Sequence, residues 1–198
     1  MTESQQPVNV AIFASGTGSN AQKIIDYFRT NDFIKIALIV CNKVGAGVLN
    51  IAYKENIQAL LITREKFFND DAYLDVLKEN KIDFIVLAGF LWRIPLLLIH
   101  NYPNKIINIH PALLPKHGGK NMYGRYVHET VIASGSKESG ITIHYVDEHY
   151  DNGDIIFQAK CGIDENETPE TLAQKIHLLE YKNYPLIIEQ VITKQFGK

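Results

Sequence analysis

Ile106-Ile107-Asn108-Ile109-His110-Pro111-Ala112-Leu113-Leu114-Pro115 decides how this chain is read. The apolar run through Ile109 has the composition of a buried strand. Asn108 and His110 stand two residues apart, so their side chains leave that strand on one face. Pro111 ends the hydrogen-bond ladder and Pro115 stiffens the loop beyond it. An amide and an imidazole are thereby held side by side at the carboxyl end of a strand, where open α/β sheets place their ligands. An asparagine amide can donate to an oxyanion, and a histidine can donate, accept or carry a proton near neutral pH. The competing reading of Asn-x-His alone is a core asparagine and a histidine bonded to backbone.

Working outward, further strands are expected over 8–14, 34–41, 58–63, 82–88, 140–146 and 155–161, with the central strand at 105–110. Helical spacing marks 21–29, 47–54, 65–80, 96–102 and 126–134, with Phe68, Tyr73 and Leu77 turned to the core in the third of these. In the strand from Gly140, Ile141 and Ile143 share one face, Thr142 and His144 the other. Thr168 is a good N-cap, with Pro169 at the first helical position. The last helix then runs towards Tyr184-Pro185, and residues 186–196 pack back on the sheet. Alternating strands and helices imply a mostly parallel sheet with right-handed crossovers and helices on both faces. The short connection after 140–146 makes the final pair antiparallel.

At 198 residues the chain is expected to form one domain over 1–198, with an N-terminal half at about 8–100 and a second at about 101–198. A hydrophobic fraction of 46% with 21% charged residues is that of an ordinary globular protein, not a disordered chain. Net charge of −2 gives no sign of a nucleic-acid or membrane surface. Cys41 and Cys161, far apart in sequence, read as free thiols. Met1 to Pro7 is polar and lacks the apolar core of a leader. No apolar run nears the ~18–20 residues of a membrane span. A cytoplasmic protein fits these features.

Ser15-Gly16-Thr17-Gly18-Ser19-Asn20 follows the first strand and opens a helix. Such a turn aims backbone N–H groups at an anion. Gly16-x-Gly18-x-x-Ala21 also satisfies the dinucleotide fingerprint. That motif needs an acid near the end of the second strand, where this chain has Cys41-Asn42-Lys43, so a single phosphate fits better than a dinucleotide. Asp151 lies in the acid-rich stretch Asp147-Glu148-His149-Tyr150-Asp151-Asn152-Gly153-Asp154. One of these acids facing His110 would raise the histidine pKa and make it a usable general acid near pH 7. His110, His144 and His149 show no compact metal-ligand spacing. Trp92 is placed either to line an aromatic ligand's pocket or to cap the core.

Taken together, these stretches resemble the folate-dependent formyltransferases. The motifs are the glycine turn from Ser15 to Asn20, Val86-Leu87-Ala88-Gly89-Phe90, the Asn108 to Pro115 stretch, Gly140-Ile141-Thr142-Ile143-His144, Asp151-x-Gly153 with Ile155-Ile156-x-Gln158-Ala159, and Glu180 with Tyr184-Pro185. They occur in family order across nearly the whole chain, and the N-terminal turn resembles the glycinamide-ribonucleotide branch. The resemblance implies a Rossmann-like three-layer α/β/α formyltransferase fold. It implies 10-formyltetrahydrofolate as co-substrate, phosphoribosylglycinamide as acceptor, no metal, and a monomer or homodimer.

By motif, Asn108, His110 and Asp151 fall on the catalytic set. Gly18, Ser19, Asn20, Ala21, Gln22, His177 and Glu180 fall on the ribose-phosphate site. Leu91, Trp92, Arg93, Ile94 and Asn108, with Asp147, Glu148, His149, Tyr150 and Asp151, fall on the folate site. The chain departs from the family at Leu91-Trp92-Arg93-Ile94-Pro95, where the arginine stands one place later, and in the longer glycine-rich loop 116–124. The alternatives are a formyltransferase for an amino-sugar nucleotide, a formyltetrahydrofolate hydrolase and a non-catalytic nucleotide-binding module. The hydrolase is expected to carry an N-terminal regulatory domain, for which no room exists before Val8.

Overall fold

A computed structural model describes residues 6–197. The polar stretch 1–7, read as lacking a leader's apolar core, therefore lies mainly outside the described residues, as do the two ends of the expected 1–198 domain. Seven strands form one sheet: β1 (Val8–Ala14), β2 (Ile34–Cys41), β3 (Gln58–Leu61), β4 (Phe84–Leu87), β5 (Ile106–His110), β6 (Glu138–Tyr145) and β7 (Ile155–Gly162). Their order is β3-β2-β1-β4-β5-β6-β7. The first five run parallel, and β5–β6 and β6–β7 are antiparallel.

The central strands are apolar on both faces because both are covered. Val10, Ile12 and Ala14 of β1 enter one core, while Ala11 and Phe13 enter the other. The first core is shared with α1 (Ser19–Phe28), α2 (Gly47–Lys54), α6 (Arg125–Ala133) and α7 (Pro169–Phe196). The second is shared with α3 (Arg64–Asn69), α4 (Ala72–Glu79) and α5 (Leu96–Asn101). The three-layer arrangement follows from this alternation, as does a mostly parallel sheet with antiparallel C-terminal strands.

Two elements differ from expectation. The helix expected over 65–80 is broken: Asp70 is extended, and its Oδ1 accepts from the Ala72 amide at 2.8 Å, starting a new helix. The break shifts the phase, so Phe67, Leu74 and Leu77 are the buried residues, while Phe68 and Tyr73 pack around them only partly buried. The last helix, in contrast, does not end at Pro185 but continues to Phe196. Proline in a helix interior costs about 3 kcal/mol. Here burial of Tyr184, Pro185, Ile187, Ile188, Val191 and Ile192 against the sheet offsets it. The Tyr184 hydroxyl donates to the Leu87 carbonyl at 2.9 Å, with the Ile107 carbonyl at 3.3 Å, which pins this turn beneath β4 and β5.

Among the described residues no helix is long and apolar enough to cross a membrane.

Candidate active site

The carboxyl ends of β1, β4 and β5 open into a cavity of about 480 Å³. At one end lies the glycine turn. Gly18 adopts φ 84°, the left-handed region that favours glycine, and a Cβ there would meet Val48 Cα at 2.9 Å. The chain thus enters α1 hard against α2, and Gly18 caps α1 without a side-chain bond. The first amides of the helix, Ser19 to Ala21, have no intrahelical acceptor and are available to an anion. Gln22 is not: its amide donates to the Gly18 carbonyl at 2.8 Å, and its side chain donates to Asp26 and Glu55. Ala21 is fully buried, so only its backbone faces this end.

Glu180 closes the same end from α7. Its buried carboxylate accepts from Asn20 Nδ2 and His177 Nδ1, both at 2.9 Å. The hydrogen bond it donates to Glu180 holds the His177 pKa above its ordinary value. Lys43 also lines this end of the cavity. It was missed in sequence because it stands in the segment where a ribose-binding acid was sought and absent.

At the other end stand Asn108 and His110. Register explains their surroundings: Asn108 pairs with His144 and His110 with Thr142 across β5–β6. Thr142 Oγ1 donates to the Ala112 carbonyl at 2.7 Å and accepts from the Leu114 amide at 2.9 Å, fixing the loop that leaves β5. His144 Nδ1 donates to the Tyr145 carbonyl at 2.8 Å, because a carbonyl can only accept. Its Nε2 then accepts from Asn108 Nδ2, an amide donor, at 3.1 Å. This orients the Asn108 amide and leaves its second N–H for a ligand. That Thr142 and His144 share a face was legible from the alternation of their strand; their pairing with β5 and the hydrogen bond needed the register.

Asp151 does reach His110, with Oδ2 at 3.4 Å from Nδ1. Its Oδ2 also accepts from the Gly119 amide at 2.9 Å, and Oδ1 lies 3.7 Å from His144 Nε2. Burial pushes the Asp151 carboxyl up, but His144, His110 and the Gly119 amide together hold it below its ordinary range. His110 departs from expectation. It is 3% exposed, and that burial pulls its pKa below the ordinary value although Asp151 and the His117 carbonyl act upward. Desolvation outweighs the carboxylate. The other nitrogen, Nε2, donates to the His117 carbonyl at 2.8 Å.

The folate-side expectation places a hydrophobic wall and an acidic loop on the cavity. Leu91, Trp92, Arg93 and Ile94 line it, as do Asp147, His149, Tyr150 and Asp151; Glu148 is exposed and does not. Of the two readings of Trp92, the structure shows the packing one and leaves the ring at the cavity wall. It lines the cavity and packs on Phe67 and Phe68 with centroids at 5.7 and 6.0 Å. The two ends of the cleft are tied through Ser15, whose Oγ accepts from the Leu91 amide at 3.0 Å. His128, on α6, lines the cavity as well; the helical spacing over 126–134 does not single it out. Among the described residues, no three histidine, cysteine or acidic side chains gather as a metal site would require.

Residues 8–188 match the Formyl transferase family. The phosphoribosylglycinamide formyltransferase of Bacillus subtilis is 38% identical over 187 residues, 92% of this chain and 93% of that one. The chloroplastic enzyme of that name from Arabidopsis thaliana is 39% identical over 185 residues, 90% of this chain. The chain spans 63% of the length of that relative and 59% of its Vigna unguiculata counterpart. Among solved structures, the phosphoribosylglycinamide formyltransferase of Bacillus halodurans superposes with a TM-score of 0.85 at 36% identity, over 94% of this chain and 96% of that one.

Proposed function

The chain belongs to the formyl transferase family, and from that premise we propose that it transfers the formyl group of 10-formyltetrahydrofolate to the amine of 5-phosphoribosylglycinamide, in purine (IMP) biosynthesis. One observation carries the reading. Asn108, His110 and Asp151 meet in the same cleft whose far end holds the glycine turn and Glu180. A phosphate at Ser19 to Ala21 would be satisfied by backbone donors, with Glu180 beside it for the sugar hydroxyls. The fit to the co-substrate rests on the wall of Leu91, Trp92 and Ile94, apolar enough for a flat heteroaromatic ring, next to the polar 147–151 loop.

10-Formyltetrahydrofolate supplies the formyl carbon and a nitrogen that leaves with a proton. The amine forms a C–N bond to that carbon and loses a proton, and the bond from the carbon to the folate nitrogen breaks. Negative charge on the formyl oxygen is met by the free Asn108 N–H and by His110. With Asp151 on Nδ1, the nitrogen that can face the reacting carbon is Nε2, so ligand must displace the His117 carbonyl from it. With its ring proton moved to Nδ1, towards Asp151, a neutral His110 accepts the amine proton on Nε2; Asp151 stabilises the imidazolium, whose Nε2–H faces the formyl oxygen until that proton passes to the leaving nitrogen.

The residues invoked come from both halves of one chain, 8–100 and 101–198, working as a single domain. A monomer suffices, and a homodimer would carry two such sites. Cytoplasmic location is part of the reading, in keeping with two free cysteines. The test is loss of 10-formyltetrahydrofolate with and without phosphoribosylglycinamide. Turnover that needs the phosphoribosylated amine supports the reading. Equal turnover without it makes the chain a hydrolase, and turnover with only an amino-sugar nucleotide changes the acceptor.

A further inference from the structure

The steps above leave one imidazole of the cleft unused. His128 is 4% exposed, yet it lines the cavity with His110, His177 and Glu180. Val127 and Val131, one turn apart on α6, pack into the core. His128 extends the buried face of that helix towards the cleft. No described residue hydrogen-bonds the ring; Nδ1 is shut off from solvent, which leaves Nε2 as the nitrogen that a ligand in the cavity can reach. Buried polar groups are normally paired, and the two other buried histidines here are: His110 to the His117 carbonyl and His144 to the Tyr145 carbonyl and Asn108. A ring this deep and unpaired is an invitation to whatever fills the cavity.

Its surroundings say which part of a ligand that is. The charged and titratable groups acting on His128 are His177, Glu180 and His110, with burial the larger influence holding the ring neutral. Two of the three belong to the phosphate end, and the third is at the reacting centre. His128 therefore stands between the anchor and the chemistry. A neutral imidazole meets a ligand there through Nε2, as donor or as acceptor according to its tautomer, which suits uncharged hydroxyl or amide groups and not the phosphate itself.

We propose that His128 is a further acceptor-binding residue, hydrogen-bonding the uncharged polar middle of the substrate, its sugar hydroxyls and amide, between phosphate and attacking amine. The inference rests on the acceptor being phosphoribosylglycinamide. The experiment titrates phosphoribosylglycinamide into wild type, His128→Leu and His128→Asn, with KM for each substrate and melting temperature measured alongside. His128→Leu should weaken acceptor binding and raise the acceptor KM about tenfold. The KM for 10-formyltetrahydrofolate should stay within about twofold, and the melting temperature should not fall, since an unpaired buried polar group has been removed. His128→Asn, which keeps a donor and an acceptor, should recover part of the affinity. Acceptor binding by His128→Leu equal to wild type overturns the proposal. So does a loss shared by both substrates and accompanied by a lower melting temperature, which marks a structural histidine. A wild type that binds no phosphoribosylglycinamide overturns the functional reading itself.

Discussion

Asn108 and Asp151 serve one site but are held in opposite ways. Asn108 stands on a buried strand, its amide oriented by a neighbouring strand through His144. Asp151 stands in a loop at φ 52° and depends on a second loop, through the Gly119 amide, for its position. That second loop also touches His110 through the His117 carbonyl, and it contains His117, Gly119, Asn121 and Gly124, all at positive φ. The strand side presents donors already in place. The loop side places a carboxylate at His110 Nδ1 and a carbonyl on its Nε2. Preorganised groups belong on rigid elements, while loops carry what must adjust.

The largest effect expected from breaking this pair of supports is on the strand side. His110→Ala should lower turnover ~10³-fold, because it removes both an oxyanion donor and the proton carrier, and Asn108→Ala ~10²-fold. Binding of phosphoribosylglycinamide, followed by titration calorimetry, should survive both changes, since its phosphate anchor lies at the far end.

Asp151→Asn follows, at ~10²-fold in kcat. It keeps the shape and the hydrogen bond from Gly119 but cannot stabilise an imidazolium. Restoration of activity by a divalent metal in this variant would contradict the proton-transfer role.

Gly118→Ala sharpens the comparison with a smaller change. Its new Cβ would lie 2.4 Å from Leu114 Cδ2 and 3.2 Å from Asp151 Cβ, so something must shift. Displacing Asp151 from His110 should cost about tenfold in kcat, given that a ~1 Å misplacement can cost up to ~10²-fold. Melting temperature should change little, because the loop adds little to either core. A stable variant with wild-type kcat would show that the loop does not set the Asp151 position.

The smallest effect is in stability against pH. Burial holds the pKa values of His110 and His128 below the ordinary value. Below about pH 6.5, the unfolded chain takes up protons at these positions that the native state refuses. Stability should therefore fall as pH drops from 6.5 towards the lowered native values, by up to ~1.4 kcal/mol per pH unit for each histidine. His177, held high by Glu180, opposes this and loses its contribution as pH rises through its raised value. Melting temperatures between pH 5 and 8 should show a shallower acid decline in His128→Leu than in wild type.

The same contrast governs what could be read in advance. Layer count, the mostly parallel sheet and the antiparallel ending were legible because apolar alternation and crossover handedness constrain them; the strand order was not. Asn108 and His110 were legible because two residues on one strand must share a face. The Asp70 break was hidden in a single side-chain bond to Ala72, and the unbroken α7 in packing that outweighs Pro185. Asp151 was found as a member of an acidic loop, but the direction of the His110 shift was not, since desolvation exists only once the chain has closed around the ring. His128 escaped because the pattern that buries its neighbours gives no sign that the ring itself faces a cleft.

The proposed formyl transfer depends most directly on Asn108 and His110 acting together on one formyl oxygen. Single-turnover formyl transfer measured for Asn108→Ala, His110→Ala and the double variant tests it. If they form one unit, the double variant should be scarcely slower than His110→Ala alone. Losses that add fully in activation free energy, or a wild-type rate in either single variant, would contradict it.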